Sequence, residues 1–407
     1  MEISGGASAN IIGDGNVISG NGNDGVIING TTGNVVRGNF IGLNAAGNAA
    51  VPNAWRGVDL YGGATANLVG GYGSARNHIS GNGNDGILVA FGSSQNVIQG
   101  NTIGLDALNT TSIPNSGAGV LLYSDAASNL IGGLTPGAAN LISGNAYDGV
   151  DVYFAGSTNN TIRGNSIFGN AFSAIYLNSG ANNSLVAPTL SSAAVTTNTT
   201  VTGTYTGASG AVYQLDFYAD ASTEAMTYLG STNITGTSGS AGFTARLGAR
   251  LPTGRIVTAT ATDPAGNTSQ TSGGVAATMT NTPNDGIPDA WRLLYFGSTS
   301  TNGSSYTGGD PDHDGQNNYQ EFLAGTNPTN AASVLMLAAL NPMASTNAVS
   351  LNSANETVYR VQYRDSLTAG GWSILADQVI GNGTNIYLPD PGAAAVSQRF
   401  YRAQVLW

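Results

Sequence analysis

Six oxygen-bearing side chains recur between residues 310 and 321 at the spacing of a calcium-binding loop. They stand at positions 1, 3, 5, 7, 9 and 12 of the segment, and Gly315 stands at position 6. Hard Ca²⁺ requires about six to eight oxygen ligands around a tight turn, which this order supplies. The predicted ligands are Asp310, Asp312, Asp314, Gln316, Asn318 and Glu321. The sequence therefore predicts calcium as a cofactor, with Glu321 as the bidentate ligand.

A second, less complete loop precedes the first. Asp285 and Asp289 fall at positions where ligands are expected, but Pro283 and Arg292 occupy positions 3 and 12. We expect Asp285 and Asp289 to contribute only to a weaker or shared calcium site. The two loops resemble dockerin and thrombospondin type 3 calcium modules, and this resemblance implies a rigidified linker or a docking surface.

The candidates for catalysis are Asp59, Asp151 and His78. Paired carboxylates cleave glycosidic bonds when they lie about 5–10 Å apart. The sequence repeat predicts short stacked strands on which Asp59 and Asp151 share an outward column three coils apart, or roughly 14 Å. His78 offers a general base without an evident partner. This spacing favours a protein without catalytic activity, and a polysaccharide lyase or glycoside hydrolase is the alternative.

A stripe of aromatic residues is predicted on the same face as the two aspartates. Flat aromatic rings beside Asp and Asn side chains can stack on sugar rings and accept hydrogen bonds from hydroxyls. The residues are Tyr61, Tyr123, Tyr153 and Tyr176, with Trp55 on the adjoining loop. The pattern therefore predicts a polysaccharide or cell-surface glycan as a candidate partner. The alternative is a purely structural role, because tyrosine also suits any half-exposed strand.

These residues are positioned by a unit of about 30 residues that recurs in the first half of the chain. Each unit contains a Gly-Val-x-Leu segment followed by two Asn-x-Ile segments. The first segment begins at Gly25, Gly57, Gly86, Gly119 and Gly149, with Ala174 as a variant. Three short strands per unit predict one coil of a three-sided solenoid, so that residues 1–187 form a right-handed parallel β-helix.

The alternation within these strands predicts a continuous apolar core with asparagines at two corners. One inward column consists of Ile18, Ile41, Ile79, Ile103, Ile142 and Ile167. The asparagine columns are Asn10, Asn34, Asn67, Asn96, Asn129 and Asn160, and Asn16, Asn39, Asn77, Asn101, Asn140 and Asn165. We expect each asparagine to adopt a left-handed bend and to bond its counterpart in the next coil.

This pattern resembles extracellular bacterial right-handed parallel β-helix repeat proteins. The resemblance implies a secreted or cell-surface protein of a bacterium, on a fold that hosts lyases, hydrolases and adhesins alike. Residues 2–13 match residues 59–70, so the chain begins within a strand. That start predicts either a truncated β-helix or an open end through which the chain self-associates into a filament.

The remaining chain alternates like strands on either side of the calcium loops. Residues 188–278 are predicted to form a β-sandwich, and Thr260–Ser269 resembles the last strand of bacterial immunoglobulin-like modules, which serve as spacers. Residues 279–332 form the calcium-loop segment. The last segment, residues 333–407, resembles a small fibronectin-like sandwich. The resemblance is carried by Tyr359–Leu367 and Phe400–Val405. The predicted fold class is therefore all-β.

Composition excludes several partners. The net charge is −11, and all 12 basic residues are arginine, so no basic patch is available for nucleic acid. There are no cysteines and therefore no disulfides or thiolate metal sites. No apolar run reaches the roughly 18 residues of a membrane-spanning helix. The sequence thus favours a secreted structural or adhesion protein that binds a glycan and is rigidified by calcium.

Overall fold

Three parallel sheets run side by side through residues 2–178 and form a parallel β-helix. The structure is a computed structural model that describes residues 1–135, 137–340, 347–355, 357–368, 371–390, 392–393 and 396–406. Strands three apart in sequence are neighbours in each sheet, so each coil contributes one strand to each side. The predicted three-sided parallel β-helix is confirmed.

The first sheet contains β1 (Glu2–Ile3), β4 (Val26–Asn29), β7 (Val58–Tyr61), β10 (Ile87–Ala90), β13 (Val120–Tyr123), β16 (Val150–Tyr153) and β19 (Ile175–Asn178). The second contains β2 (Ile11–Gly13), β5 (Val35–Arg37), β8 (Leu68–Gly70), β11 (Val97–Gln99), β14 (Leu130–Gly132) and β17 (Thr161–Arg163). The third contains β3 (Val17–Ile18), β6 (Phe40–Ile41), β9 (His78–Ile79), β12 (Thr102–Ile103), β15 (Leu141–Ser143) and β18 (Ser166–Phe168). Short 3-10 helices lie at Gly73–Ala75 and Ala181–Ser184.

The inward isoleucine column is buried along the whole solenoid and belongs to one core cluster. Both predicted asparagine columns form ladders, in which each side-chain amide donates to the side-chain oxygen of the next coil at 2.9–3.1 Å. A third ladder, not predicted, joins Asn21, Asn53, Asn82, Asn115, Asn145 and Asn170 at 2.7–2.9 Å. The apolar core is therefore bounded by buried amides whose hydrogen bonds are made.

The expected left-handed bend does not lie at the ladder asparagines. In the first ladder it falls on the preceding residue, for example Ala66 (φ 54°), Gln95 (φ 56°) and Ser128 (φ 57°). The asparagine itself is then free to point inward and to bond along the ladder, because the reversal of the chain has already been made. The position of the bend in that prediction was wrong by one residue.

Residues 189–279 form a seven-stranded sheet that curves into a sandwich. Its strands are β20 (Thr189–Val195), β21 (Thr199–Thr206), β22 (Val212–Asp220), β23 (Thr227–Thr235), β24 (Ser240–Leu247), β25 (Ile256–Thr262) and β26 (Val275–Met279). The two strands at the ends of its order, β23 and β24, lie close together, so the sheet nearly closes into a barrel.

The sandwich packs on the last coil of the β-helix rather than standing apart as a spacer. Arg163 donates to both carboxylate oxygens of Asp216 at 2.6 and 2.7 Å. Ile167 pairs with Ala225 in an antiparallel bridge, and Tyr218 joins the solenoid core. These contacts cover the apolar end of the solenoid, where backbone groups would otherwise lack partners.

The rest of the chain contains two helices and two small antiparallel sheets. The helices are α1 (Asp289–Phe296) and α2 (Asn318–Ala324), and a 3-10 turn lies at Gly303–Ser305. One sheet contains β27 (Met336–Leu340), β28 (Asn347–Asn352) and β31 (Asn385–Asp390), and the other β29 (Val358–Arg364), β30 (Ser373–Ile380) and β32 (Phe400–Val405). The all-β prediction is confirmed, and in the described residues no helix is long and apolar enough to cross a membrane.

Candidate functional site

The outward face of the first sheet places Asp59 and Asp151 in one column. Strand register runs from Asp59 through Leu88 and Leu121 to Asp151. Three inter-strand spacings separate the two carboxylates by about 14 Å, which exceeds the separation of catalytic carboxylate pairs. Asp59 and Asp151 are therefore too far apart to act together on one glycosidic bond.

The tyrosines form two neighbouring columns rather than the single predicted stripe. Tyr123 and Tyr153 stand in one column with ring centroids 6.4 Å apart. Tyr176 is in register with Asp151 instead, yet its ring lies 6.2 Å from that of Tyr153. Tyr61 shares the column of Tyr123, but Ala90 separates them. The three tyrosines Tyr123, Tyr153 and Tyr176 thus form a continuous aromatic surface.

Two phenylalanines extend this surface at the corner of the solenoid. Phe154 lies 5.0 Å from the Tyr123 ring, and Phe91 lies 6.2 Å from it. Both have left-handed backbones (φ 72° and 54°), and both are largely exposed. A bulky side chain in this conformation costs about 1–2 kcal/mol, so exposed phenylalanines here are a candidate functional feature. In the equivalent turn of another coil the chain uses glycine, Gly62 (φ 64°).

A groove of about 340 Å³ runs beside the tyrosine columns. Its lining includes Tyr123, Tyr147, Tyr153, Asp85, Asp151 and Arg56. Gly117 forms part of one wall, and a Cβ there would lie 2.4 Å from Asp85 Oδ1, so glycine keeps this wall open. Asp85 and Tyr147 were not predicted as site residues, although Asp85 ends the recurring Gly-Asn-x-x-Asp-Gly turn of the sequence.

Arg56 is the cation at one end of the groove. Its Nη1 lies 3.6 Å from Asp59 Oδ2, and its Nε lies 3.7 Å from Asp85 Oδ2. The guanidinium also lies 5.7 Å from the centre of the exposed Trp55 ring, so the predicted Trp55 borders the groove through Arg56. One arginine thus bridges two carboxylates and supports one aromatic ring.

The carboxylates of this face are held in an environment that favours their protonated forms. Burial raises the pKa of Asp59 to about 7, against the opposing effect of Arg56 and with further raising by Asp24 and Asp85. Burial, and then the neighbouring Asp148, also raises the pKa of Asp151. Among the described residues, Oδ1 of Asp59 and Oδ1 of Asp151 are buried and have no hydrogen-bond partner. Arg56 therefore compensates the charge of Asp59 only in part, because the effect of burial is larger.

His78 lies elsewhere, on β9 of the third sheet, beneath the C-terminal module. Its ring packs 5.3 Å from that of Phe40 and lines a separate cavity of about 420 Å³ with Tyr363 and Ile374. Burial, and then Arg76, lowers its pKa to about 3. His78 is therefore uncharged at neutral pH and does not meet Asp59 or Asp151.

The predicted calcium loop forms a cradle of oxygen atoms. One oxygen from each of Asp310, Asp312 and Asp314 lies within 4.8 Å of the others. Within the described part of the chain, at least one side-chain oxygen of each predicted ligand is buried without a hydrogen-bond partner; these are Asp310 Oδ1, Asp312 Oδ2, Asp314 Oδ2, Gln316 Oε1, Asn318 Oδ1 and both Oε atoms of Glu321. Buried oxygens without donors are costly unless a cation satisfies them, so the donor set fits a hard divalent cation.

Helix α2 supplies Glu321 to this cradle. The helix starts with a capping box, in which Asn317 accepts from the Gln320 backbone and Gln320 accepts from the Asn317 backbone. The cap fixes the first turn and places Glu321 at its inner side, fully buried. Burial, and then Asp312 and Asp314, raises the pKa of Glu321 to about 7.

The earlier loop is filled by a protein cation instead. Arg292, which is fully buried, forms an ion pair with Asp285 and donates to the Ile287 carbonyl at 2.9 Å. Asp289 accepts from the backbone and the hydroxyl of Thr282. Burial raises the pKa of Asp285, but the hydrogen bonds from Arg292 and then Thr307 outweigh it and lower that pKa. Both predicted weaker ligands are therefore engaged by protein donors.

No protein-family model and no curated protein match this chain. Among solved structures, the chain is similar to the enzymatically active domain of tailspike protein 2 from bacteriophage CBA120, with 12% identity and a TM-score of 0.21. The match covers 63% of this chain and 49% of the tailspike domain, so the chain spans about half of that structure's length. At this similarity the fold assignment rests on the three parallel sheets themselves.

Proposed function

We propose that this chain is a secreted or cell-surface bacterial protein whose β-helix binds a glycan along the groove of the first sheet. The observation that supports this proposal is the continuous aromatic surface of Tyr123, Tyr153 and Tyr176 beside a groove lined by carboxylates. Sugar rings stack on aromatic faces through their C–H groups, while their hydroxyls require acceptors at the same depth. The groove offers both.

The exposed Phe91 and Phe154 support the same proposal. An exposed aromatic ring at a strained backbone position is costly both in conformation and in solvation. A glycan that covers the rings would offset the solvation cost. The aromatic surface would then contact one face of an extended glycan chain along several coils. Such a surface suits a polymer better than a small metabolite.

Calcium is part of the proposal. The Asp310–Glu321 cradle would hold one ion through the six predicted ligands, and the bound ion would supply charge neutralisation and fix the loop. The loop lies between the sandwich and the C-terminal module. Trp291 and Phe322 pack into the core of the sandwich, and the Leu335 carbonyl of the C-terminal module accepts from the Gln316 side chain at 3.5 Å. Calcium would therefore rigidify the joint between the two modules.

The proposed role is adhesion or structure rather than catalysis. Asp59 and Asp151 are too far apart to act on one glycosidic bond, and His78 is covered by another module. We propose that the immunoglobulin-like sandwich caps the β-helix and that the fibronectin-like module braces its side. The arrangement would hold the glycan-binding face outward on a rigid body.

A binding assay on matched variants tests the proposal. Wild-type protein, a Tyr123→Ala/Tyr153→Ala double variant and a Tyr387→Ala control are titrated calorimetrically with soluble polysaccharides in calcium. Tyr387 is a matched control because it is an exposed tyrosine on the C-terminal module, far in sequence from the groove. We expect the double variant to lose about tenfold or more in affinity, since each lost stacking contact contributes of the order of 1 kcal/mol.

Two results would count against the proposal. The first is equal affinity of the double variant and wild type, which would place any glycan elsewhere. The second is the absence of binding across neutral, amine-bearing and acidic polysaccharides. Gel filtration of the same mixtures adds a check on catalysis, because shortened chains would contradict the non-catalytic role.

A further inference from the structure

In the described structure, the groove of the first sheet has more carboxylates than cations. Asp85 and Asp151 line it, and Asp148 adjoins Asp151. Arg56 is the cation of the groove lining in the described structure, and it is already shared between Asp59 and Asp85. The end of the groove at Asp151 therefore lacks a cation of its own.

Asp148 and Asp151 are held differently. Asp148 Oδ1 accepts the backbone N–H of Ser173 at 2.6 Å, so a structural bond to the next coil occupies it. Asp151 is only 4% exposed and lines the groove; its carboxyl group interacts with that of Asp148, and in the described structure its Oδ1 has no hydrogen-bond partner. A buried acceptor without a donor carries a desolvation cost that a ligand donor can remove.

The groove carboxylates are not arranged to share one metal ion. Within the described residues, the one set of three acidic groups whose oxygens converge within 4.8 Å is that of the calcium loop. Asp85 and Asp151 lie two strands apart, or about 10 Å along the sheet. Carboxylates spaced along an aromatic wall suit a ligand that presents its positive charge at intervals along a chain.

We infer that the groove selects glycans that bear free amines, with Asp151 as the carboxylate that receives an ammonium group of the ligand. This inference rests on the proposed glycan-binding function and specifies its ligand class. An ammonium group carries three donors, and a charge-assisted bond to a buried carboxylate is about twice as strong as a neutral one. The same field repels polysaccharides that carry carboxylate or sulfate groups.

The raised pKa of Asp151 fits this selection. Burial, and then Asp148, disfavours the charged carboxylate, and a bound ammonium group would favour it, so that the proton of Asp151 leaves to solvent when the ligand binds. The surrounding rings of Tyr123 and Tyr153 add favourable faces for a cation. Charge and aromatic surface therefore converge at the same end of the groove.

The test uses three oligosaccharides of equal length at pH 6 in calcium: glucosamine oligomers, their N-acetylated counterparts and oligogalacturonate. Calorimetry on the full chain should give glucosamine oligomers an affinity about tenfold or more above that of the acetylated oligomers, and no binding of oligogalacturonate. Asp151→Asn should bring the preference for the amine below about threefold. Asp125→Asn, which removes an exposed carboxylate at the adjoining corner, should keep the preference.

The outcomes separate the inference from the proposed function. Equal binding of free and acetylated amines, or a preference that survives Asp151→Asn, overturns the inference while glycan binding stands. Tightest binding of oligogalacturonate also overturns it. Failure to bind all three overturns both. Asp151→Asn exchanges the carboxyl group for an amide of nearly the same shape, so the variant should fold.

Discussion

The carboxyl group of Asp59 makes the stability of the protein depend on pH in a direction opposite to that of an aspartate stabilised by an ion pair or hydrogen bonds. In the folded chain burial raises its pKa to about 7, while the unfolded pKa is about 3.9. The folded state therefore holds the proton more tightly than the unfolded chain. Its contribution to stability is full below about pH 4 and is lost as the pH rises through 7.

The magnitude follows from these two pKa values. Between pH 5 and pH 9 the linkage amounts to about 2 pH units of differential proton binding, or about 3 kcal/mol. Asp59→Asn removes the titrating group and therefore this slope. The difference in free energy of unfolding between wild type and variant should be about 3 kcal/mol larger at pH 5 than at pH 9, in favour of wild type. Asp59→Leu introduces the residue type of its neighbour Leu88 in the same column. This variant should also lose the pH dependence that Asp59 contributes.

Urea unfolding followed by circular dichroism at pH 5, 7 and 9, with calcium held in excess, measures the difference. Calcium in excess keeps the Glu321 carboxylate from adding its own pH dependence. A wild-type-minus-variant difference that stays constant within about 0.5 kcal/mol across this range would refute the reasoning, since it would mean that Asp59 is charged throughout. A difference that grows with pH would contradict the sign itself.

Three further predictions concern the calcium loops and the ladders. Glu321→Gln should lower calcium affinity by tenfold or more in calorimetry and abolish the rise of the melting temperature with calcium, while Glu2→Gln, exposed in the first coil, should change neither. Arg292→Glu places an acid at position 12 of the earlier loop in place of the buried guanidinium, and it should raise the calcium stoichiometry by one; an unchanged stoichiometry would contradict the guanidinium as the group that excludes calcium. Asn82→Ala removes a fully buried ladder amide and should destabilise the chain by about 2–3 kcal/mol in urea unfolding, whereas exposed Asn48→Ala should cost under about 0.5 kcal/mol; equal effects would contradict a structural role for the third ladder.

The solenoid was predictable because its information is periodic and local. A strand of three residues has an unambiguous inward position, and stacking the same position in successive coils identifies the core and two ladders. The third ladder left a weaker signal. Four of its members follow glycine, whereas Asn53 and Asn115 follow proline, so two different contexts share one column.

The features that the sequence did not reveal depend on contacts between distant segments. Nothing local to His78 indicates that Ile374 and Tyr363 cover it, and nothing in the solenoid repeat indicates that Asp216 pairs with Arg163. Arg292 is the intermediate case. Its position in the loop was visible as a departure from the calcium pattern, but the geometry was needed to show the guanidinium bound to the loop's own aspartate.

A crystal structure of the protein with a bound glucosamine oligosaccharide is the most direct test of the central claim. We expect sugar rings stacked on Tyr123 and Tyr153, with an amine nitrogen within hydrogen-bond distance of Asp151 Oδ1. An oligosaccharide ordered on another face, with the groove of the first sheet open to solvent, would contradict it.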